Sequence, residues 1–372
     1  MKSPTSKSQS MYQKSSSRPR IALITSFPLD VTVGSGVVRM ITGYAQALKA
    51  FGLPVDVIHP SFKANSYRNM ALQRLRFNRT LNLPQYDLLI GSDFDGFTFR
   101  HGTLPKIVLN GGLLADIVRF EQGQIRRVLE LLAGRECQNV RSALRVVVPS
   151  AYTARKVEEY YRVSREKIVV IPLGIDAQRW IQLLARAPEE TSRPPIVLCV
   201  AKQYPRKGIA DLIRAFSLVR KKIPEIRLRL VGAGPEFEKN RALAQKFGLE
   251  NTVEFAGDVG DDAHLASYYR NADIFCLPSY HETFGIVLVE AMAAGLPVVA
   301  YRTTAVPEVV DKNAGILSDP GKIDLLAQNL VTLLSDAQRR QEMGRAGQKR
   351  ARRFTWQAAG KQLASLMGAW VK

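Results

Sequence analysis

Two doubly wound α/β domains in tandem are the fold that the sequence predicts, on three observations. The chain has 372 residues, too many for one ordinary core and suited to two. Its candidate strands are short continuous apolar runs rather than alternating ones, as expected where helices cover both faces of a parallel sheet. Strands and helices also alternate in two separate series, on either side of the Pro-containing stretch Ala187–Pro195.

Residues 1–19 are rich in Ser and Lys and lack acids and apolar periodicity, so they read as a disordered basic tail. The first domain spans residues 20–176. Its first strand is Ile21–Thr25, followed by a glycine-containing loop at Val33–Gly36, a helix over Val37–Phe51 stopped by Gly52, and a second strand at Val55–Ile58. A strand, helix, strand order implies a right-handed parallel unit. Further strands are expected at Asp87–Ile90, Lys106–Leu109, Leu144–Val148 and Ile168–Ile171. Residues 177–195 read as a linker. The second domain, residues 196–353, has expected strands at Ile196–Val200, Ile226–Val231, Val253–Ala256, Ile274–Leu277 and Pro297–Ala300. Its helices are expected at Gly208–Lys222, Glu236–Phe247, Asp262–Asn271, Ile286–Ala294 and Ile323–Ser335. Residues 354–372 form an amphipathic pattern running through Trp370.

Lys and Arg number 53 against 33 Asp and Glu, a formal charge of +20. Such a field attracts phosphate-bearing partners, whether nucleic acid, anionic lipid or phosphorylated substrate, and composition does not choose among them. No eighteen-residue apolar run and no apolar leader segment are present, so a cytoplasmic chain is expected. Cys137, Cys199 and Cys276 lack metal-ligand spacing and read as reduced thiols in a packed interior.

In doubly wound sheets, ligands sit outside the carboxyl ends of the strands, so the chemistry belongs in the loops that follow strands. The loop Ser279–Gly285 joins a strand to a helix and presents backbone N–H groups and the positive helix end, which suits a diphosphate. Glu282 in that loop suits polyol hydroxyls, and Glu290, one turn into the helix, suits the vicinal hydroxyls of a ribose. Gly285 allows close backbone approach. The bland reading is two solvated glutamates eight residues apart. Lys202 and Lys207 share another post-strand loop, where two point charges can converge on one phosphate; a solvated basic loop explains them equally well. Gly232-Ala-Gly234-Pro235 is a third post-strand turn, weak by itself. In the first domain, Gly34 and Gly36 resemble the start of a dinucleotide fingerprint. The third glycine would fall near Arg39, and His59 and Pro60 stand where an acid should end the second strand. A nicotinamide enzyme is therefore disfavoured, although the loop still offers N–H groups to a phosphate or sugar.

Together these segments resemble the retaining glycosyltransferases of family four, which have the GT-B fold. Glu282-Thr-Phe-Gly-Ile-Val-Leu-Val-Glu290 matches that family's E-x7-E signature, and Lys202 and Lys207-Gly208 match its basic pair, whose first member is more often Arg. Gly232–Pro235, Pro172–Asp176 and Val306–Val309 match its glycine turn, its domain-junction segment and the turn after its last donor strand. The resemblance covers roughly residues 20–370. It implies a hexose-type sugar moved from a nucleoside-diphosphate sugar to a glycan or lipid-linked hydroxyl acceptor, without metal or other cofactor. Glu282 would bind the donor sugar and Glu290 the ribose. Lys202, Lys207 and the amides of Phe284, Gly285 and Ile286 would neutralise the departing diphosphate. The last helix would cross back onto the first domain. Retention in the family is explained by attack on the leaving-group face, with the leaving phosphate helping to deprotonate the acceptor, so neither glutamate need be a nucleophile.

One departure concerns the first domain. The family often carries a His after the strand at Lys106–Leu109, facing the donor sugar; here Asn110-Gly111-Gly112 stands there. Asn110 can hydrogen-bond a hydroxyl but cannot titrate, so either no titrating group is needed or another residue such as His101 serves. His281 reads as a site-lining residue without a proton-transfer role. Acceptor specificity is expected in this domain, including a loop over residues 61–80. Clustered Arg and Lys at Arg141–Lys167, Lys221–Lys222 and Arg339–Arg353 make an anionic membrane surface an expected partner. The alternatives are another GT-B activity, an epimerase or a phosphorylase, or a basic nucleic-acid-binding protein. No base-stacking module accompanies the Arg clusters, so nucleic acid is not expected.

Overall fold

The computed structural model describes residues 19–29, 31–62, 66–99 and 104–368, with backbone alone at 31–35. The expected basic tail up to residue 18, His101 and Trp370 lie outside the described residues. The first half of the chain runs through β1 (Ile21–Ile24), α1 (Val31–Ala50), β2 (Val55–Ile58), α2 (Tyr67–Thr80), β3 (Leu88–Ser92), β4 (Lys106–Leu109), α3 (Leu114–Ile117), α4 (Gly123–Ser142), β5 (Arg145–Val148), α5 (Ala151–Tyr161) and β6 (Ile168–Val170). After α6 (Ala177–Arg186), the second half continues with β7 (Ile196–Val200), α7 (Ile209–Lys222), β8 (Arg227–Val231), α8 (Phe237–Lys246), β9 (Val253–Gly257), α9 (Asp262–Arg270), β10 (Ile274–Leu277) and α10 (Ile286–Ala293). It ends with β11 (Val298–Tyr301), α11 (Val306–Val309), β12 (Gly315–Ser318), α12 (Ile323–Ser335), α13 (Ala337–Ala351) and α14 (Trp356–Met367).

The strands form two six-stranded sheets, ordered β2-β1-β3-β4-β5-β6 and β12-β11-β10-β7-β8-β9. Every pairing within them is parallel. The expected apolar runs are the sheet interiors: β1, β4 and β10 are buried along their whole length, and Cys199 and Cys276 lie in β7 and β10 as buried thiols. Strand order reverses between β1 and β3 in the first sheet and between β7 and β10 in the second. These are the points where a doubly wound sheet opens a crevice for a ligand. The architecture is that of the GT-B fold.

Four local expectations are corrected. The Gly34–Gly36 segment is not a loop: α1 begins at Val31 and includes both glycines in its first two turns. Residues 67–80 of the expected acceptor loop are helix α2, whose amino end is capped by Ser66 Oγ accepting from Asn69 N at 3.1 Å. Half of the expected linker is helix α6. Asp176 caps it, its buried Trp180 and Leu184 face the second domain, and Trp180 Nε1 donates to the Glu290 carbonyl at 3.1 Å. Strand β12 was not foreseen, because Gly315–Ser318 has only two strongly apolar residues; it is defined by pairing with β11.

Three contacts away from the cavity are among those that join the halves. α14 packs on α1, where Trp356 lies over Gly43 so closely that a Cβ there would come within 2.2 Å of the ring. Ile175 and Thr355 form a parallel bridge at the chain crossover. The amino end of α5 is capped from both halves: Ser150 Oγ accepts from Thr153 N, and the Glu308 carboxylate accepts from Ala151 N and Tyr152 N at 2.7 Å each.

Candidate active site

Between the two sheets lies a cavity of about 580 Å³, within the usual range for small-molecule sites. Loops after β7, β8 and β10 supply its second-domain wall. α10 begins at its rim because Gly285 adopts φ 90°, a left-handed conformation that glycine reaches without strain. The first-turn N–H groups of a helix have no intrahelical acceptor, so this end of α10 offers donors and positive potential to the cavity. Phe284, Gly285 and Ile286 all line it. Gly232 has φ 115°, and a Cβ there would fall 2.2 Å from the Ala201 carbonyl, so the β7 and β8 loops touch only because this residue is glycine.

Glu282 is 7% exposed and accepts from Lys207 Nζ at 2.6 Å and Ser279 Oγ at 2.8 Å. Burial alone would raise its pKa. The Lys207 cation, its hydrogen bond, that of Ser279 and the field of Arg206 outweigh burial, and the carboxyl sits below its ordinary value. Glu282 is therefore an ionised acceptor in the cavity wall. Lys202 Nζ donates to Asp258 Oδ2 at 2.7 Å on the same wall. Glu290 is 1% exposed: Tyr269 Oη donates to Oε2 at 3.1 Å and Arg39 Nη1 stands 3.2 Å from Oε1. Arg39 also pairs with Asp262 at 3.0 Å, and Glu290 together with Asp262 raises its pKa against the opposing effect of burial.

The structure brings Glu282, Glu290, Lys202, Lys207, Gly232, Phe284, Gly285, Ile286 and Gly36 to one cavity. Asn110 is not among the lining residues. It is fully buried, and its Nδ2 donates at 2.8 Å to Glu136, because the chain turns so that Gly111 and Gly112 face the cavity instead. Gly34 lies in the backbone of α1. His281 lines the cavity, with Nε2 2.9 Å from Asp116 Oδ2. Asp116 also accepts from Tyr152 and Tyr160. Burial would raise this carboxyl, but these partners hold it far below the usual carboxylate range. Thr283 Oγ1 donates to the Gly111 carbonyl at 2.6 Å, which ties the loop after β10 to the first domain.

Sequence reasoning missed Arg39, Arg74, Asp93 and Arg206, which all line the cavity. Asp93 directly follows β3, so the rule that picked out Glu282 would have found it. Arg39 and Arg74 sit on helices among many other basic residues, and no spacing marks them.

Residues 97–179 match the family model described as Glycosyltransferase Family 4, and residues 182–350 match that described as Glycosyl transferases group 1. The matched residues supply the second-domain wall of the cavity and part of the first-domain wall, on a GT-B scaffold. Among curated proteins, the chain is 33% identical over 252 residues to a D-inositol 3-phosphate glycosyltransferase of Segniliparus rotundus, covering 65% of this chain and 55% of that protein. It is 28% identical over 379 residues to the phosphatidyl-myo-inositol mannosyltransferase of Mycobacterium leprae, covering 92% and 95%. The chain spans little more than half the length of several such relatives, 52–58% for four of them. Among solved structures, sucrose-phosphate synthase from Thermosynechococcus elongatus superposes with a TM-score of 0.76 at 22% identity, covering 94% of this chain and 98% of that one. Anabaena HepE in complex with UDP-glucose superposes at 0.67 with 20% identity, covering 95% and 100%.

Proposed function

We propose that the chain is a retaining, metal-independent glycosyltransferase that moves a hexose-type sugar from a nucleoside-diphosphate sugar to a hydroxyl acceptor. The observation that carries this reading is the convergence on one cavity of the amino end of α10, the Lys207–Glu282 pair, Lys202 and Glu290. The matched family models and the UDP-glucose complex of a structural neighbour support it. In this reading the donor diphosphate lies against the first turn of α10 and the two lysines, Glu282 accepts from sugar hydroxyls, and Glu290 accepts from the ribose. As the bond from the anomeric carbon to the phosphate oxygen breaks, negative charge grows on the diphosphate, where fixed cations and amides stabilise it. The acceptor oxygen bonds to the same face of that carbon, and its proton passes to the released phosphate oxygen. The protein's own cations do the work a metal would do at the leaving group.

The acceptor in this reading is a glycan or a lipid-linked polyol, as the names of the inositol-directed relatives support. The chain works at the cytoplasmic face of an anionic membrane. Among the described residues, no helix is long and apolar enough to cross one. Arg339, Arg345, Lys349, Arg352 and Arg353 are exposed together on and after α13, each worth about 1 kcal/mol against anionic lipid when suitably placed. Arg340 and Arg350 do not join them. Arg340 donates to the carbonyls of Leu333 and Leu334 at the end of α12, and Arg350 donates to those of Glu308 and Val309. Equal recovery with neutral and anionic vesicles in a sedimentation assay would exclude the membrane part.

The central test is a panel of UDP- and GDP-sugars, screened first for thermal stabilisation of the chain and then for sugar release or transfer in the presence of EDTA. Stabilisation by one nucleotide series and EDTA-resistant turnover with retained anomeric configuration are expected. Activity restored only by a divalent cation would refute metal independence, and an inverted product would refute retention.

A further inference from the structure

Two aspartates follow β3, and the fold treats them differently. Asp95 is consumed by structure: its carboxylate accepts from Ser26 N at 2.7 Å, Asn78 Nδ2 at 2.7 Å and Ser92 Oγ at 2.9 Å. Asp93 uses one oxygen only. Its Oδ1 accepts from Gly111 N at 3.0 Å and Gly112 N at 3.2 Å, while among the described residues Oδ2 has no hydrogen-bond partner. The residue is 3% exposed, lines the cavity and holds φ 51°, a left-handed conformation that Asp adopts more readily than most residues other than glycine. It stands at the carboxyl end of β3, beside the reversal of strand order in the first sheet, where a doubly wound sheet places its ligands.

Arg74 of α2 lines the same cavity and is 5% exposed. Its guanidinium is clamped between the rings of Phe27 and Phe94, 3.7 and 4.3 Å from their centroids, and Nε donates to Ser26 Oγ at 2.8 Å. Among the described residues, its Nη2 is buried without a partner. An unmet buried donor costs about 1–3 kcal/mol, more for a charged group, so a fixed guanidinium with one nitrogen unmet points to a ligand atom that completes it. Among the described residues, the first-domain side of the cavity therefore carries an unmet cationic donor at Arg74 and a carboxylate oxygen of Asp93 without a hydrogen-bond partner.

We propose that Asp93 and Arg74 form the acceptor subsite and that it takes a hydroxyl-bearing ring, a cyclic polyol or hexose, rather than an anionic group. This rests on the donor-site reading above and adds the acceptor class. A hydroxyl both donates and accepts, so it satisfies Asp93 Oδ2 and Arg74 Nη2 together. A phosphate or carboxylate would suit Arg74 but would face two neighbouring carboxylates, Asp93 and Asp95, both of which act on the Arg74 charge. Burial pushes the Asp93 carboxyl up to about 6 despite the Arg74 cation and the two amides, so it gains from any further donor. Met70, Leu129 and Leu132 line the cavity nearby and suit the C–H face of such a ring.

The test compares the full chain with Asp93→Asn, a substitution that keeps the shape and tolerates a positive φ. Binding of myo-inositol, methyl α-D-glucopyranoside and myo-inositol 3-phosphate is titrated with and without saturating nucleoside diphosphate, and nucleotide-sugar affinity is measured separately. One of the neutral rings is expected to bind the unaltered chain and to lose at least tenfold in affinity in Asp93→Asn, with nucleotide-sugar affinity within twofold and melting temperature retained. Failure of both neutral rings to bind the unaltered chain, or equal binding to the variant, would overturn the subsite. So would inositol phosphate binding that Asp93→Asn strengthens, which would mark an anion site at Arg74. Loss of nucleotide-sugar binding by the unaltered chain is the separate failure that refutes the donor reading.

Discussion

Glu282 and Glu290 are both almost wholly buried, and each stays a useful acceptor because a cation stands beside it. Lys207 serves the first and Arg39 the second. Removing Lys207 or Glu290 deletes a charge-assisted bond worth about 1.5–3 kcal/mol. Lys207→Ala and Glu290→Ala should therefore each lower kcat/KM for transfer roughly ten- to 150-fold. Steady-state kinetics with a saturating acceptor would show it, and unchanged values in both variants would remove the site assignment. Glu136 makes the opposite case. It is fully buried and, among the described residues, makes no ion pair, accepting from Asn110, Leu114 N and Tyr161 Oη. Burial, reinforced by the charge of Asp93, pushes it up to about 8. An acid whose folded pKa is raised favours the protonated form in the native state. Its contribution is full below its ordinary value near 4.5 and is lost as pH rises toward 8. Urea unfolding at pH 5 and pH 8 should show the chain weaker at pH 8, with a clearly smaller difference in Glu136→Gln.

At the scale of elements, the donor wall depends on turns that only glycine permits. Gly232 and Gly248 both have positive φ, but the first is packed against the Ala201 carbonyl while the second has nothing within 4 Å. Gly248→Ala should cost about 1–2 kcal/mol from backbone strain alone. Gly232→Ala adds a collision with backbone and should exceed that cost while also weakening nucleotide-sugar binding. Equal melting temperatures for the two variants would show that the β7 and β8 loops give way freely. Legibility varied between elements for physical reasons. Strands buried on both faces must be apolar throughout, so β1, β7 and β10 could be read directly. α6 could not, because its helical state depends on a partner elsewhere, Trp180 on the back of α10.

For the molecule as a whole, the two halves are joined by specific polar contacts at the cavity as well as by α14. Glu308 closes the amino end of α5 across the interface with both carboxylate oxygens. Glu308→Gln retains one acceptor oxygen and should cost about 1 kcal/mol, the usual worth of a lost helix cap. That loss falls on the joined arrangement. Small-angle scattering should therefore show a larger radius of gyration in the variant without nucleotide, and a smaller difference once nucleotide-sugar is bound. Identical scattering profiles would mean that the other contacts, α14 and the Ile175–Thr355 bridge among them, hold the halves together without the Glu308 cap.

The sequence by itself determined the two parallel sheets and which loops of the second domain line the cavity. Apolar continuity marks strands covered on both faces, and the order of strand and helix then dictates that the following loops meet at one edge. That places Glu282, Glu290, Lys202 and Lys207 within reach of each other before any coordinates are seen. Only the tertiary structure decided what each group is paired with. It withdrew Asn110 into a buried contact with Glu136, set Arg39 against Glu290, and left Asp93 and Arg74, on the first-domain side of the cavity, each with an atom unmet among the described residues. Such pairings join residues far apart in the chain, where neither spacing nor composition carries a signal.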